Sequence, residues 1–329
     1  MSLISEYGSH NAPVVITRQF HDLDAFAEAI KPLNVTANQL TQGNFRGSVN
    51  FADFRGLKFT DVNQNQALKV TGPKASDDLI FAIALQSGQT QVMSYGCPIK
   101  KRDIFGFDPA RETDVIAGKD SLIAIASVNL SVFQSLCNQM GYDLGQKFLK
   151  QNLIRLHQAT LRSLRAYYQA ISQIFISQPS LLTQPQMRSV IMEDFLPLLV
   201  NTVGKSRQKN SYRLKTFRRY SLVKQAEEIA LSFPDRPLTL QQLCNELGTS
   251  SSALSYGFRE IFGLSPMAYL KIQRLNGVRR ALRNSDPDTT MVMQVAHQWG
   301  FWSAGHFSRD YKKMFGDLPL QTLRTWHNS

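Results

Sequence analysis

Cysteine is scarce in this chain. There are three among 329 residues, Cys97, Cys137 and Cys244, with no CxxC pair and no histidine at ligand spacing. A disulfide framework and a structural zinc site are therefore not expected. Long apolar runs are missing too. The longest, LIFAIAL (79–85) and LIAIA (122–126), have strand length and fall well short of the ~18 residues a membrane helix needs. The opening MSLISEYGSHNAPVV lacks a basic stretch followed by an apolar one, so no secretory signal is read and a cytoplasmic protein is expected. Catalytic signatures are equally lacking. The histidines at 10, 21, 157, 297, 306 and 327 form neither HExxH nor a triad pattern. A DNA-repair alkyl-transfer centre would need a Pro-Cys-His-type site or a four-cysteine cluster. Here Cys97 precedes Pro98, and no histidine stands near it or Cys137. No enzyme, metal or cofactor is expected.

What the last third lacks is acid. Residues 1–200 hold 18 Lys+Arg and 16 Asp+Glu, a net of +2. Subtracting these from the totals of 37 and 25 leaves 19 basic and 9 acidic residues in 201–329, a net of +10. A surplus confined to one end suggests a polyanion-binding module joined to a nearly neutral one.

The remaining patterns divide the chain. Residues 1–128 read as short strands separated by turn residues: 14–20, 45–54, 56–62, 67–72, 78–86, 90–96 and 121–129. TQVMSYG (90–96) shows the alternation most clearly, and DLDAFAEAIKP (22–32) interrupts the strands as a helix. This spacing implies a β-rich sandwich or small, cupin-like barrel with a sensor or regulatory role. Residues 129–203 read as helical. Leu153, Leu156, Leu161, Leu164, Tyr168, Ile171 and Phe175 form an amphipathic stripe that serves internal packing or dimerisation. Residues 204–219, GKSRQKNSYRLKTFRR, carry seven basic residues and no acid, and read as a basic linker. The fold class is thus α+β, with an all-α domain over 220–329.

That last domain contains a repeat. Leu243, Leu247 and Gly248 recur 52 residues later as Val295, Trp299 and Gly300. Leu254, Phe258, Phe262, Gly263 and Pro266 recur 53 residues later as Phe307, Tyr311, Phe315, Gly316 and Pro319. Each copy predicts a short helix, a glycine turn needing a positive φ, and a second helix. Ser251 and Ser303 are candidate caps of the second helices. The pattern predicts two helix-turn-helix units. The aromatics beside Gly300 (Trp299, Phe301 and Trp302) are expected to pack around the turn. A helix over 265–286 joins the copies, with Leu270, Leu275, Val278 and Leu282 as its apolar stripe and Lys271, Arg274, Arg279, Arg280 and Arg283 mostly outside it. At 1.5 Å per residue, about 19 residues span roughly 28 Å. That is comparable with the ~34 Å between successive major grooves.

PLTLQQLCNELGTS, RLNGVRRAL and VAHQWGFWSAGHFSRDYKKMFGDLP resemble the DNA-binding domain of AraC/XylS transcription regulators over about a third of the chain. The first unit together with WGFW looks closest to the subgroup of ethanolamine-utilisation operon regulators. The resemblance implies a bacterial transcription regulator, an activator. Its partners would be double-stranded DNA, RNA polymerase, a second copy of itself and a small-molecule effector. It implies that outward residues meet DNA: Ser252, Ser255, Tyr256 and Arg259 in the first unit, and Ala304, Gly305, Ser308, Arg309 and Lys312 in the second, with Ser251 and Ser303 at the helix starts. Arg309 would read a base, or else touch a phosphate or pair with a neighbouring acid. Ala304 and Gly305 are too small to hydrogen-bond base edges, which points to methyl contact and shape. By position alone, Phe81, Met93, Tyr95 and Phe107 are the candidate effector residues. A non-specific architectural DNA binder is the alternative function.

Overall fold

The computed structural model describes residues 14–30, 33–74, 77–88, 90–144, 148, 151–156, 158–205 and 214–325. Among them, the N-terminal strands are β1 (Val14–Phe20), β2 (Thr36–Gln39), β3 (Gly47–Asp53), β4 (Leu57–Gln64), β5 (Leu68–Gly72) and β6 (Asp78–Gln86). Then come β7 (Met93–Ser94), β8 (Cys97–Pro98), β9 (Asp103–Phe105), β10 (Thr113–Ala117), β11 (Ser121–Asn129) and β12 (Leu153–Arg155). They form a seven-stranded sheet, β1-β3-β4-β11-β6-β9-β12, and a five-stranded sheet, β2-β5-β10-β7-β8. Neither closes on itself, so the barrel alternative is not formed. Helix α1 (Leu23–Ala29) begins where expected, with the Asp22 carboxylate accepting from the amides of Asp24 and Ala25.

The apolar run of β6 has a simple cause: both of its faces are covered. Ile80, Ala82 and Ala84 join Ile123 and Ile125 in a core between the two sheets. Phe81 and Ile83 point the other way, into a core shared with helices α2 (Leu130–Gln139), α3 (Gln158–Ser177) and α4 (Pro185–Gly204). Fully burying a side chain such as Phe81 stabilises the fold by roughly 1.5–3 kcal/mol. Tyr168 reaches the same layer, and its hydroxyl donates to the carbonyl of Phe81 at 2.7 Å.

Two local expectations fail for the same reason. The helix expected from Leu153 begins at Gln158, because Leu153–Arg155 pairs with β9. Leu153 enters the inter-sheet core and Ile154 the helical-side core, so a strand buried on both faces mimicked the start of an amphipathic helix. In TQVMSYG, Val92, Met93 and Ser94 are all buried and only Met93–Ser94 join a ladder, so alternation is not obeyed there. Of the basic stretch 204–219, Gly204 and Lys205 end α4, residues 206–213 lie outside the described residues, and helix α5 (Leu214–Ser232) already runs through 214–219.

The C-terminal elements are α6 (Leu240–Glu246), α7 (Ser251–Phe262), α8 (Pro266–Arg283), α9 (Val292–Gln298), α10 (Ala304–Phe315) and α11 (Pro319–Thr325). They do not form one core. Leu243, Leu254, Phe258 and Tyr269 pack with Val223 and Ala226 of α5 and continue into Leu40, Ala67, Met93 and Ile116 of the N-terminal domain. Val295, Phe307, Tyr311, Met314 and Phe315 make a second cluster with Val278 and Leu282 of α8.

Candidate functional site

The repeat is realised twice. Gly248 (φ 57°) turns the chain between α6 and α7, and Gly300 (φ 73°) turns it between α9 and α10. Both second helices end on a left-handed glycine, Gly263 (φ 69°) and Gly316 (φ 87°), a conformation in which a side chain would be strained. Leu254 and Phe258 anchor α7 and Phe307 and Tyr311 anchor α10, all four buried. The starts of the helices differ from expectation. Ser250, not Ser251, caps α7, its hydroxyl accepting from the Ala253 amide at 3.2 Å. Ser303 holds the N-cap position of α10 but makes no side-chain cap bond. Helix α6 has a full capping box, Thr239 with Gln242, whereas α9 starts at Met291 without one.

With those anchors buried, the intervening positions face solvent. On α7, Ser251, Ser252, Tyr256 and Arg259 are exposed and Ser255 is half-buried. On and beside α10, Ser303, Ala304, Gly305, Arg309 and Lys312 are exposed and Ser308 is half-buried. Each helix therefore presents its expected residues on one side. Trp302, expected to pack around the turn, is instead exposed, and His306, which the sequence reading did not single out, is exposed as well. Trp302 is 68% exposed, and its ring stacks on His297 at 5.0 Å between centroids. The expected packing holds for its neighbours. Trp299 lies against Gly277, where a Cβ would come within 2.1 Å of its ring, and Phe301 is buried against Phe307. The same 3.6-residue count that places Arg309 outward places His306 outward, so that signal was available for His306.

Charge is distributed unevenly on these faces. Asp310 pairs with Lys271 at 2.6 Å, and Glu260 with Arg219 at 2.6 Å. Arg309 is exposed and forms no ion pair among the described residues. The connector α8 departs from expectation. Arg279 and Arg283 are buried, held by Asp22 and Asp24 at the start of α1, with Arg283 Nη1 2.8 Å from Asp22. Their charge is spent inside the protein. Asn276 pairs reciprocally with the backbone of Gln39, at 2.9 Å in each direction. Beside α5, the Lys69 ammonium lies 2.6 Å from Glu227 Oε1, to which the Tyr269 hydroxyl also donates at 2.5 Å.

The N-terminal domain contains a cavity between its sheets, partly open to solvent. Its walls are almost wholly apolar, with Phe26, Leu68, Val70, Phe105 and Ile123 prominent, and Gln64, Lys74, Thr113, Asp114 and Asn152 add polar groups. Of the effector candidates, Tyr95 alone lines this cavity. Phe81 and Phe107 stack on each other in the helical-side core, and Met93 packs towards the C-terminal domain. Burial pushes the Lys74 ammonium down to about 8, against the pull of nearby Asp108, whose carbonyl accepts from it at 2.7 Å. Among the described residues no group of three or more His, Cys, Asp or Glu is placed to hold a metal, and no helix is long and apolar enough to cross a membrane.

Two helix-turn-helix units on one connector make the C-terminal domain a nucleic-acid-binding domain of the double helix-turn-helix class. A family model described as "Helix-turn-helix domain" matches residues 243–325. The "Probable thc operon regulatory protein" of Rhodococcus erythropolis is 36% identical over 104 residues, 32% of this chain and 31% of that protein. The "XylDLEGF operon transcriptional activator 2" of Pseudomonas putida is 33% identical over 88 residues, 27% of this chain and 56% of that protein. The C-terminal domain is of the AraC/XylS type. The chain thus matches less than two thirds of the length of either relative. The crystal structure of the AraC-like transcriptional activator CuxR covers 86% of this chain and 100% of its own, at 13% identity and a TM-score of 0.43, a similarity too slight to bear on function.

Proposed function

We propose that the chain is a cytoplasmic, sequence-specific transcription regulator of the AraC/XylS type, an activator, with operator-contacting residues like those of ethanolamine-operon regulators. The observation that carries this is the pairing of two like-built recognition helices, α7 and α10, on one connector. The 18 residues of α8 span about 27 Å, close to the ~34 Å between successive major grooves on one face of B-DNA. One chain then reads one operator half-site. Ser251, Ser252, Ser255, Tyr256 and Arg259 meet the first groove, and Ser303, Ala304, Gly305, Ser308, Arg309 and Lys312 the second. A second copy and RNA polymerase are its protein partners. A small molecule in the inter-sheet cavity acts as effector by favouring one arrangement of the two domains over another. Asp114 supports that link. It lines the cavity, and its carboxylate accepts from the Tyr220 hydroxyl of α5 at 2.6 Å.

The test is retention of genomic fragments by the full-length protein at about 150 mM salt, followed by sequencing. A few promoter-proximal sites sharing a motif are expected. Uniform retention would instead favour a non-specific architectural binder. In the same assay Arg309→Ala should relax discrimination at one base pair by about 1–3 kcal/mol. An equal loss on every sequence would make Arg309 a phosphate contact.

A further inference from the structure

Helix α10 begins with a combination that its fold does not require. Ser303 holds the N-cap position, so Trp302 stands where a hydrophobic staple ordinarily packs against the fourth helical residue, here Phe307. Phe301 does that instead, its ring 5.3 Å from that of Phe307, and Trp302 is left in solvent. The Trp302 ring is nonetheless held, stacked on His297 with 27° between the planes. Gly305, in the first turn of α10, has an ordinary helical conformation, so no positive φ calls for glycine there. Crowding does not call for it either, since a Cβ on Gly305 would meet nothing within 4 Å. Glycine in a helix is less favourable than alanine, and nothing within the chain accounts for it at this position. Glycine also serves where another molecule must approach the backbone closely. Ala304 and Gly305 thus leave a notch in the first turn of α10, immediately after a large, braced ring.

We infer that Trp302 and this notch read a thymine: its C5-methyl group enters the space left by Ala304 and Gly305 and lies against the indole ring. That methyl is the apolar feature a base pair displays in the major groove, and small or aromatic side chains are what meets it. The charge around the notch suits DNA. His306, Arg309, Lys312 and Lys313 are exposed on α10, and its one acid, Asp310, is paired with Lys271 at 2.6 Å. Ordering a side chain weakens binding, and the stack on His297 orders this ring before DNA arrives. His297 is therefore a positioning residue. The first unit's exposed ring is held likewise: the Arg219 guanidinium lies 5.2 Å from the centre of the Tyr256 ring, and Arg219 pairs with Glu260. This inference rests on the reading of α10 as a recognition helix, and it names the base that its first turn selects.

The full-length chain is used to select DNA duplexes with a random core at about 150 mM salt, and the retained sequences give the base preference at each position. Trp302→Ala is expected to lose a thymine preference at one position, by about fivefold, with the other positions unchanged. At that position thymine is then exchanged for uracil, which pairs alike but lacks the methyl group. The unaltered chain should bind the uracil duplex about threefold more weakly, and Trp302→Ala should bind both duplexes equally. Gly305→Leu fills the notch. It should lower affinity for the thymine duplex by about fivefold and leave the melting temperature of the free protein no lower. His297→Ala should reduce the thymine-to-uracil ratio and His297→Phe should restore it, a pattern that loss of folding would not give. Equal binding of thymine and uracil by the unaltered chain overturns the inference. A Trp302→Ala loss spread evenly over all sequences overturns it too, since the ring would then touch only sugar and phosphate. The same holds for an unaltered Trp302→Ala profile, or for a preference lost at a position that holds another base. Any of these failures beside a clear selected motif leaves the regulator reading standing, whereas no motif with the unaltered chain sinks both.

Discussion

The two helix-turn-helix units share eight spaced positions and the same pair of left-handed glycines, yet they rest on different ground. The first unit's core runs on into the five-stranded sheet through Leu40, Ala67, Met93 and Ile116. The second unit's core closes within the C-terminal domain, on α8 and Leu323 of α11. Polar contacts tie the end of α10 to the N-terminal domain: the amide of Gly43 and the Gln39 side chain both donate to the carbonyl of Met314, the latter at 2.8 Å, and the Asn44 side chain lies against Gly316. The same local pattern therefore yields one unit whose apolar core continues into the N-terminal domain and one whose apolar core closes within the C-terminal domain, tied to the N-terminal domain through the polar contacts of α8. Under the proposed function, the first unit is the one placed to receive a signal from that domain.

Removing residues 1–204 should separate the units most strongly. In the 205–329 fragment, hydrogen exchange is expected to show α9–α11 protected and α6–α7 losing most of their protection. Equal protection in both would remove the distinction. Next in size are core truncations. Phe258→Ala and Phe307→Ala should each destabilise by about 3–5 kcal/mol. The first should also loosen the N-terminal domain's contact with α5, read as faster proteolysis of the intact chain, and the second should not. Glu227→Gln would leave the buried Lys69 ammonium without its counter-charge, at a cost of about 3–5 kcal/mol. That loss should appear in urea unfolding of the full chain, while a change under ~1 kcal/mol would mean that Lys69 finds another partner. The caps give the smallest contrast. Ser250→Ala should cost about 1 kcal/mol, and Ser303→Ala should cost close to nothing, because the Ser303 hydroxyl caps no amide. Equal losses at the two serines would contradict the cap geometry.

The legibility of the sequence followed the range of the interactions. Gly248 and Gly300 were readable because a left-handed turn is a local requirement, visible in residue type and spacing, whereas Gly263 and Gly316 were legible only as a recurring pair, their left-handed caps coming from the structure. Leu254/Phe258 and Phe307/Tyr311 were readable because four-residue spacing puts a pair on one side of a helix. Strands β1, β6 and β11 stood out as apolar or β-branched runs between turn residues. Short strands such as β2 and β10 did not, because they are held by partners far along the chain. Ser251 was misassigned by a single residue, a shift that capping chemistry alone does not resolve when three serines adjoin.

By itself, then, the sequence determined the repeat, the turns, the connector and the excess of positive charge, each written in neighbouring residues. Tertiary structure decided where that charge is used. Arg279 and Arg283 look like solvent-facing basic residues until α1 brings Asp22 and Asp24 against them. It also decided that Phe81 and Phe107 serve packing while Gln64, Thr113 and Asn152 line a cavity, and that Trp302 stands in solvent, stacked on His297. Burial and counter-charge depend on what the rest of the chain places opposite a residue, and local spacing carries no record of that.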